Sequence, residues 1–572
     1  MQQNDTILTL KDFSLSFLSD EVYKKVVENV SFTVNRGKIL GIVGESGSGK
    51  TVTTLSLIKL LDYPPARIDS GEAVFTDKNG NETNLLDVPE KSLINFRGHR
   101  ISCIFQTPMT SLNPSIRCGK QVTEALRIHL HKTKEEAYNE TIELFKEVGL
   151  PRPEHIFKSY PHEISGGQRQ RVMIAIAIAC HPDIIIADEP TTALDVSVQK
   201  RIINLLKSLQ QKHNIAVIMI SHNLGIIHEI ADYVVVMNKG KVVETGTADD
   251  IFNRPQCPYT MGLLACRPPL RSRLRHLPTI EDIEACSSKD KNFDVKQYID
   301  SLTIKETEPK KFDKPLLTVE NLIIRYPKSH NFFGKTTSYV NAVNDISFII
   351  HEGETLGILG ESGCGKSTTA NAVAGLLKPT SGKIIFKGTD ILSINRKEKK
   401  QICREIQMVF QDPYSSLNPK LSVGSILMEP LIVHNILDTN SQRMEKIKYL
   451  LDKVGLSQSD FYKYPHEFSG GQRQRICIAR ALTLDPKLLI CDEPVSSLDV
   501  SVQAKVLNLL QQLMNEFGLS MMFITHDIAV VNHVSDNLIV MKDGAIIEKG
   551  TPFDIINNPK EEYTQNLISS TL

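Results

Sequence analysis

The sequence predicts an α/β protein made of two tandem copies of one domain. The chain has 572 residues, more than a single hydrophobic core usually serves. Its motifs recur in the same order with a period of about 300 residues, far longer than a solenoid unit. In each copy an apolar run precedes a glycine-rich loop and then a helix-like segment, an order typical of parallel α/β sheets.

The repeat sets the predicted domain boundaries. Tyr160–Arg171 recurs almost unchanged as Tyr464–Arg475, and similar pairs lie before and after it. Between the copies the apolar patterning fades, and proline and charged residues become frequent, as in linkers. We therefore predict a first domain at residues 1–266, a linker and C-terminal extension of that domain at 267–314, and a second domain at 315–572. The first copy has extra residues after its glycine-rich loop, which predicts a longer hairpin around Asp62–Asp87.

Composition excludes several functional classes. Lys+Arg and Asp+Glu both number 66, and this balance disfavours a protein whose main partner is nucleic acid. No run approaches the roughly 20 apolar residues of a membrane-spanning helix. The ten cysteines form no C-x-x-C pair, which disfavours a disulfide framework or a zinc site of that type. A chain of this kind acts at a membrane only from the aqueous side.

Both copies carry a G-x-x-x-x-G-K-[ST] loop after a β-rich run and before a helical stretch. The backbone N–H groups of such a loop wrap phosphates, and the start of the following helix adds favourable dipole charge. A chance glycine-rich turn would not recur in register with the same flanks. The predicted ATP-binding residues are Gly44, Glu45, Ser46, Gly47, Ser48, Gly49, Lys50 and Thr51, and Gly360, Glu361, Ser362, Gly363, Cys364, Gly365, Lys366 and Ser367.

Paired acids end a second apolar run in each copy. Ile184–Asp188 and Leu488–Asp492 lack polar alternation, as fully buried parallel strands do, and ligands bind at the carboxyl ends of such strands. Asp188 and Asp492 are predicted to hold Mg²⁺ with Thr51 and Ser367. Glu189 and Glu493 are predicted to orient or deprotonate the attacking water. The alternative, an acid that only caps a helix, suits a lone aspartate better than a pair.

A polar, glycine-rich segment about 20 residues before each acid pair opens another helix and offers further donors for phosphate oxygens. It consists of Ser165, Gly166, Gly167 and Gln168 in the first copy, and of Ser469, Gly470, Gly471 and Gln472 in the second. This segment resembles the signature of the ATP-binding cassette (ABC) superfamily. The resemblance implies two P-loop NTPase domains, each with a RecA-like core, an antiparallel β subdomain and a helical signature subdomain.

The resemblance also implies roles for residues that the motifs alone leave open. Gln106 and Gln411 are similar to the Q-loop glutamines, and His222 and His526 to the switch histidines that contact the γ-phosphate. Asp195 and Asp499 match the D-loop. Phe17 and Tyr326 stand where an adenine-stacking aromatic is expected, although each could instead belong to the core. In this family each signature closes the nucleotide site of the opposite cassette, which implies an intramolecular cassette dimer with two intact sites.

Further motifs resemble the ATPase subunits of dipeptide, oligopeptide and nickel importers. They are Phe-Gln-x-Pro-x-x-Ser-Leu-Asn-Pro, Tyr-Pro-His-Glu and a Pro-x-x-x-Tyr-Thr tail, all present in both copies. The resemblance implies a peripheral protein on the cytoplasmic face of the cell membrane, which powers import of peptides or related small solutes. Its implied partners are two transmembrane permease subunits and a substrate-binding protein, with membrane contact only through the permeases. The alternative is a soluble twin-cassette ATPase that acts on ribosomes or DNA.

Overall fold

The computed structural model describes residues 5–19, 21–106, 111–191, 196–290, 293–304, 310–330 and 336–570. Contacts divide the chain into two compact units. One is Met1–Leu264 with Ile280–Lys291, and the other is Ala265–Thr279 with Asn292–Thr571. Both units are α/β, as predicted. The segment predicted as linker, 267–314, contributes residues to both units.

The described residues of the first unit form ten strands in two sheets. The strands are Thr6–Ser19 (β1), Val22–Asn35 (β2), Ile39–Val43 (β3), Ala66–Thr76 (β4), Glu82–Asn84 (β5), Ile101–Ile104 (β6), Ile184–Asp188 (β7), Ala216–Ile220 (β8), Tyr233–Asn238 (β9) and Lys241–Thr247 (β10). One sheet has the order β2-β1-β4-β5 and is antiparallel. The other has the order β10-β9-β3-β8-β7-β6, in which only the β9–β10 pair is antiparallel.

Helices follow the parallel strands or form a separate group before the signature. They are Lys50–Ser56 (α1), Cys118–His129 (α2), Lys134–Glu147 (α3), Pro153–Lys158 (α4), Gly166–Ile178 (α5), Val196–His213 (α6), Leu224–Ile230 (α7), Ala248–Asn253 (α8), Pro258–Ala265 (α9) and Ile280–Lys289 (α10). The strands β3, β7 and β8 are buried along their whole length, and for β7 this confirms the prediction from its unbroken apolar sequence. The core joins both sheets, with Leu8 and Phe75 of one packed in the same cluster as Ile42 and Ile218 of the other.

The second unit repeats this plan. Its strands are Pro315–His330 (β11), Thr336–His351 (β12), Thr355–Leu359 (β13), Ser381–Phe386 (β14), Thr389–Asp390 (β15), Ile406–Val409 (β16), Leu488–Asp492 (β17), Ser520–Thr525 (β18), Asn537–Lys542 (β19) and Ala545–Gly550 (β20). The antiparallel sheet has the order β12-β11-β14-β15, and the mixed sheet β16-β17-β18-β13-β19-β20. Strand β4 is longer than its counterpart β14, which confirms the longer hairpin predicted for the first copy.

Most helices of the second unit have counterparts in the first, although Arg396–Glu405 stands where the first unit has only the 3-10 turn Glu90–Asn95. The helices of the second unit are Val295–Leu302 (α11), Lys366–Val373 (α12), Arg396–Glu405 (α13), Pro413–Ser416 (α14), Val423–Val433 (α15), Asn440–Lys453 (α16), Gly470–Leu482 (α17), Val500–Phe517 (α18), Ile528–Val534 (α19), Pro552–Asn557 (α20) and Glu562–Ser570 (α21). In the described parts of the chain, no helix combines the length and apolar character needed to cross a membrane.

Candidate functional site

Each glycine-rich loop lies between the central strand of the mixed sheet and the helix that follows it, β3 and α1 in the first unit, β13 and α12 in the second. The loop passes so close to a neighbouring strand that its first residue, Gly44 or Gly360, has no room for a side chain. A Cβ on Gly44 would lie 2.1 Å from the Met237 carbonyl oxygen, and one on Gly360 would lie 2.4 Å from that of Met541. Any side chain here would displace the loop from the strand edge.

The loop lysine folds back over its own loop in both units. The Lys50 ammonium donates to the carbonyl oxygens of Gly44 at 2.9 Å and Glu45 at 2.8 Å. Lys366 makes the same two bonds, to Gly360 at 2.7 Å and Glu361 at 2.8 Å. Both lysines are buried, so each charge is held at the helix start where a phosphate can reach it.

The predicted metal ligands meet in each unit. The Thr51 hydroxyl donates to Asp188 Oδ1 at 3.0 Å, and the Ser367 hydroxyl donates to Asp492 Oδ1 at 3.0 Å. Burial is the largest influence on both carboxyls and raises the pKa of each, assisted by the neighbouring glutamate charge and opposed by the hydroxyl and the loop lysine. A hydroxyl and a carboxylate oxygen at this separation fit a Mg²⁺ ion, which favours oxygen ligands and relieves the cost of a buried carboxylate.

An unusual backbone conformation sets the direction of each predicted catalytic glutamate. Glu189 and Glu493 follow the acids at the strand ends and have positive φ values of 46° and 47°. The backbone N–H of Glu189 donates to the Ile220 carbonyl at 3.0 Å, and that of Glu493 to Ile524 at 2.9 Å. In this left-handed conformation, each glutamate is hydrogen-bonded through its backbone to the neighbouring strand, β8 or β18, which leads to the predicted switch histidine.

The glutamine and the histidine converge on that glutamate. In the first unit, Gln106 Nε2 donates to Glu189 Oε2 at 2.7 Å, and His222 Nδ1 lies 3.1 Å from Glu189 Oε1. In the second, Gln411 Nε2 donates to Glu493 Oε2 at 3.0 Å, and His526 Nδ1 lies 3.3 Å from the same oxygen. The structure thus brings together residues that are more than 80 positions apart in the chain.

In the second unit, Glu493 and His526 shift each other's pKa. Burial alone would raise the pKa of Glu493, but the hydrogen bond and charge of His526, with the charge of Lys366, hold it below its ordinary value. Burial would likewise lower the pKa of His526, but its bond to Glu493 and the charges of Glu493 and Asp527 raise it. The carboxylate is therefore kept ionised, as a residue that accepts a proton from water must be.

The signature segments form capping boxes. Ser165 Oγ accepts a bond from the backbone N–H of Gln168 at 3.3 Å, and Gln168 Oε1 accepts one from the backbone N–H of Ser165 at 3.0 Å. Ser469 and Gln472 repeat this arrangement at 3.4 and 3.0 Å. The serine and the glutamine at the two ends of each predicted signature thus cap the helix that follows, which is α5 in the first unit and α17 in the second. Their predicted contact with nucleotide stays a prediction.

The predicted adenine-stacking residues differ in exposure. Phe17, on β1, packs partly against the core cluster, whereas Tyr326, on β11, is 43% exposed. Tyr326 therefore offers the freer ring, and the assignment of both stays a prediction. Asp195, the first predicted D-loop acid, lies outside the described residues, while Asp499 precedes helix α18 as its N-terminal cap residue.

Sequence reasoning missed one residue at each loop. The Tyr259 hydroxyl accepts a 3.2 Å bond from the backbone N–H of Glu45, and the Tyr563 hydroxyl accepts a 3.1 Å bond from that of Glu361. Both tyrosines belong to the Pro-x-x-x-Tyr-Thr tail. The recurrence of that tail at the same place in each copy was the available signal, but it did not indicate a contact with the phosphate-binding loop.

Comparison with known proteins places the chain among transport ATPases. The family model described as ABC transporter matches residues 27–192 and 343–496, one match in each unit. The chain belongs to the ABC transporter family. Its two cassettes therefore bind and hydrolyse ATP. A second model, described as the C-terminal region of oligopeptide/dipeptide transporters, matches residues 243–298 of this ABC protein.

Curated relatives cover almost the whole of this ABC protein. The glutathione import ATP-binding protein GsiA of Pectobacterium atrosepticum is 42% identical over 564 residues, which is 99% of this chain and 89% of the relative. The protein of the same name from Escherichia coli O157:H7 is 41% identical over 569 residues, again 99% and 89%. The likeness therefore extends over both cassettes and the segment that joins them.

Proposed function

We propose that this chain is the ATP-hydrolysing subunit of an importer for peptides or related small peptide-like solutes. The observation that carries the proposal is the match of residues 243–298 to the oligopeptide/dipeptide transporter region. That region includes Tyr259, whose hydroxyl contacts the first phosphate-binding loop. Relatives that share both cassettes are named for glutathione import, and glutathione is itself a small peptide derivative.

The proposed division of labour within each cassette uses the residues that the structure brings together. The loop lysine and loop N–H groups bind the β- and γ-phosphates. Thr51 with Asp188, and Ser367 with Asp492, would hold Mg²⁺, which neutralises developing phosphate charge when bound. Glu189 or Glu493 accepts the proton of the attacking water, and the adjacent histidine and glutamine fix the direction of its carboxylate.

The proposal extends to assembly, on the strength of the family resemblance. Residues 1–266 and 315–572 are two ATPase domains joined by 267–314, and each signature closes the site of the opposite cassette. The domains close on ATP and reopen after hydrolysis, so nucleotide shifts a two-state equilibrium. Two permease subunits carry that motion across the membrane, and a substrate-binding protein supplies the solute. The chain itself stays peripheral, on the cytoplasmic face.

The test is recovery of partners from gently solubilised membranes. The bait is the full chain as a Glu189→Gln, Glu493→Gln double variant with bound ATP, and the matched control is the same bait with Lys50→Ala and Lys366→Ala added. Two polytopic permeases recovered by the bait and reduced with the control are the expected result. Recovery of ribosomes or DNA-repair factors without a membrane protein would overturn the import proposal and favour the soluble alternative.

The solute class needs a second measurement on the recovered complex. In proteoliposomes, substrate-binding protein loaded with glutathione or with a short peptide should stimulate ATP hydrolysis over the unloaded protein. Stimulation by free Ni²⁺ and by neither peptide class would overturn the peptide assignment while leaving the importer in place.

A further inference from the structure

Part of the segment between the cassettes is built into the second unit. The side-chain amide of Asn508 on α18 both donates to the Leu277 carbonyl and accepts from its N–H, each at 2.8 Å. Asn532 on α19 donates to the carbonyl of Leu270 at 3.0 Å, and Arg273 Nη1 donates to that of Ser535 at 3.0 Å. Residues 270–277, named here the linker strap, are therefore fixed on α18 and α19.

The strap is also paired with a second piece of the linker. The Arg275 N–H donates to the Leu302 carbonyl at 2.9 Å, and the Ile304 N–H donates to that of Arg273 at 2.8 Å. Leu274 and Thr303 form the antiparallel bridge between them. Within the strap, Leu274 is buried, Arg273 is half-buried, and Arg275 and His276 are exposed.

The strap and the second cassette together line a cavity of about 630 Å³ that is open to solvent. Four basic side chains line it, Arg273, Arg275, His276 and Lys310, with amide side chains of α18 beside them. Asp536 is its one acidic lining residue, and that carboxylate is engaged already. Its Oδ1 lies 3.2 Å from Lys310 Nζ, and its Oδ2 accepts from the Thr355 N–H at 3.0 Å.

The charge of Asp536 also acts on Arg273, so one carboxylate faces both arginines, Lys310 and His276 in the described lining. Over the described ranges, no carboxylate oxygen lies within ion-pair distance of Arg273, Arg275 or His276. The nearby His533 is almost fully buried, and burial, then the charges of Arg273 and His276, lower its pKa to about 4. The neutral imidazole of His533 therefore adds no further positive charge near the cavity.

We propose that this cavity binds a small polyanion, of up to nucleotide size, through phosphate or carboxylate groups. Guanidinium groups are suited to both because their planar donors match paired oxygens. The amides of Asn508 and Gln511 add neutral polar groups at the same wall. Such a ligand contacts the strap and the second cassette at once, and so it fastens the linker to α18 and α19.

The test measures pyrophosphate binding to the full chain by calorimetry. All proteins carry Lys50→Ala and Lys366→Ala, which weaken phosphate binding at the two ATP loops. The test variant adds Arg275→Gln and His276→Gln, two exposed positions that line the cavity. The matched control adds Arg271→Gln, an exposed arginine of the same strap that is not in the lining.

The expected result is one pyrophosphate per chain, weakened about tenfold or more by the test variant, as loss of charge-assisted bonds predicts. The control should change the affinity by less than about twofold, since it removes only distant charge. Citrate is the second probe, and citrate binding with the same variant dependence supports a carboxylate ligand. Absence of binding by both probes, or equal weakening in test and control variants, overturns the proposal.

Discussion

At the scale of single residues, we expect hydrolysis to depend on the two predicted catalytic glutamates, Glu189 and Glu493, whose backbone is left-handed. Replacing Glu189 and Glu493 by glutamine removes the proton acceptor but keeps the shape of each side chain. We expect ATP hydrolysis to fall by about 10²- to 10⁴-fold, the usual contribution of a general base. Phosphate release measures the loss, and binding of a fluorescent ATP analogue is the control that should be unchanged. A double variant that keeps a tenth of the activity contradicts the assignment.

The pair formed by Glu493 and His526 predicts a pH dependence of stability. Because the pKa of His526 is raised in the folded protein, His526 contributes to folding stability. This contribution is complete below the ordinary pKa of 6.5 and is lost as the pH rises through the raised pKa. Because the pKa of Glu493 is lowered, Glu493 also contributes to folding stability. This contribution is complete above the ordinary pKa of 4.5 and is lost as the pH falls through the lowered pKa. The pair is therefore strongest between about pH 4.5 and 6.5.

We expect Glu493→Gln to lower the melting temperature more at pH 6 than at pH 8.5, because the charged fraction of His526 falls as the pH rises toward and through its raised pKa. Differential scanning calorimetry at both pH values measures the difference. Lys314→Gln, which removes an exposed ion pair with Glu352, is the control and should show no such dependence. An equal or larger effect at pH 8.5 contradicts the pairing.

The two phosphate-binding loops differ at one buried position, Ser48 against Cys364. Ser48 Oγ lies 3.4 Å from Lys50 Nζ, and Cys364 Sγ lies 3.9 Å from Lys366 Nζ, so each contacts the loop lysine. We expect Cys364→Ser to keep ATP hydrolysis within about twofold, because the first loop already functions with that residue type at this place. If a thiol reagent inhibits the wild type at this position, the variant should resist it. Equal inhibition of both proteins would place the sensitive thiol elsewhere.

At the scale of elements, we expect the bonds that hold the linker strap to contribute to stability. Asn508→Ala removes both bonds to Leu277, whose backbone groups are then left without partners in a buried region. We expect a loss of about 1–3 kcal/mol in unfolding free energy. Urea denaturation of the full chain measures it, together with the rate of proteolysis within the linker.

The first cassette supplies the matched control. Asn204 occupies the corresponding position on α6 and is exposed. We expect Asn204→Ala to change stability by no more than about 0.5 kcal/mol. If both substitutions have the same effect, the strap bonds make no net contribution and Asn508 acts only as a helix residue.

The elements that the sequence predicted well are those whose signal is local. The buried strands Ile184–Asp188 and Leu488–Asp492 were readable because an unbroken apolar run that ends in paired acids is typical of a buried parallel strand. Motif spacing also indicated that Thr51 would lie near Asp188 and Ser367 near Asp492, whereas their role as metal ligands stays a prediction. By contrast, Tyr259 and Tyr563 reach their loops from about 200 residues away, and no local pattern encodes such a contact.

At the scale of the whole molecule, duplication was evident from the sequence, but the division of the linker was not. Proline and charge indicated a connecting segment, and such composition is equally compatible with a free tether and with a strap fixed by Asn508 and Asn532. The bonds that fix it join backbone groups of the strap to side chains more than 230 residues away. Backbone groups have no sequence signature, so only the structure could reveal this pairing.

The left-handed backbone of Glu189 and Glu493 also limits how such a cassette could lose its catalytic activity over evolutionary time. A replacement must tolerate φ near 46°, which glycine does readily and asparagine or aspartate does at modest cost. A β-branched residue would disturb the turn and, through the strand-end hydrogen bond, the neighbouring histidine. In a duplicated protein, a site could therefore become inactive through substitution of this glutamate by one of a few small or amide-bearing residues. Such a substitution removes the chemistry and preserves the fold.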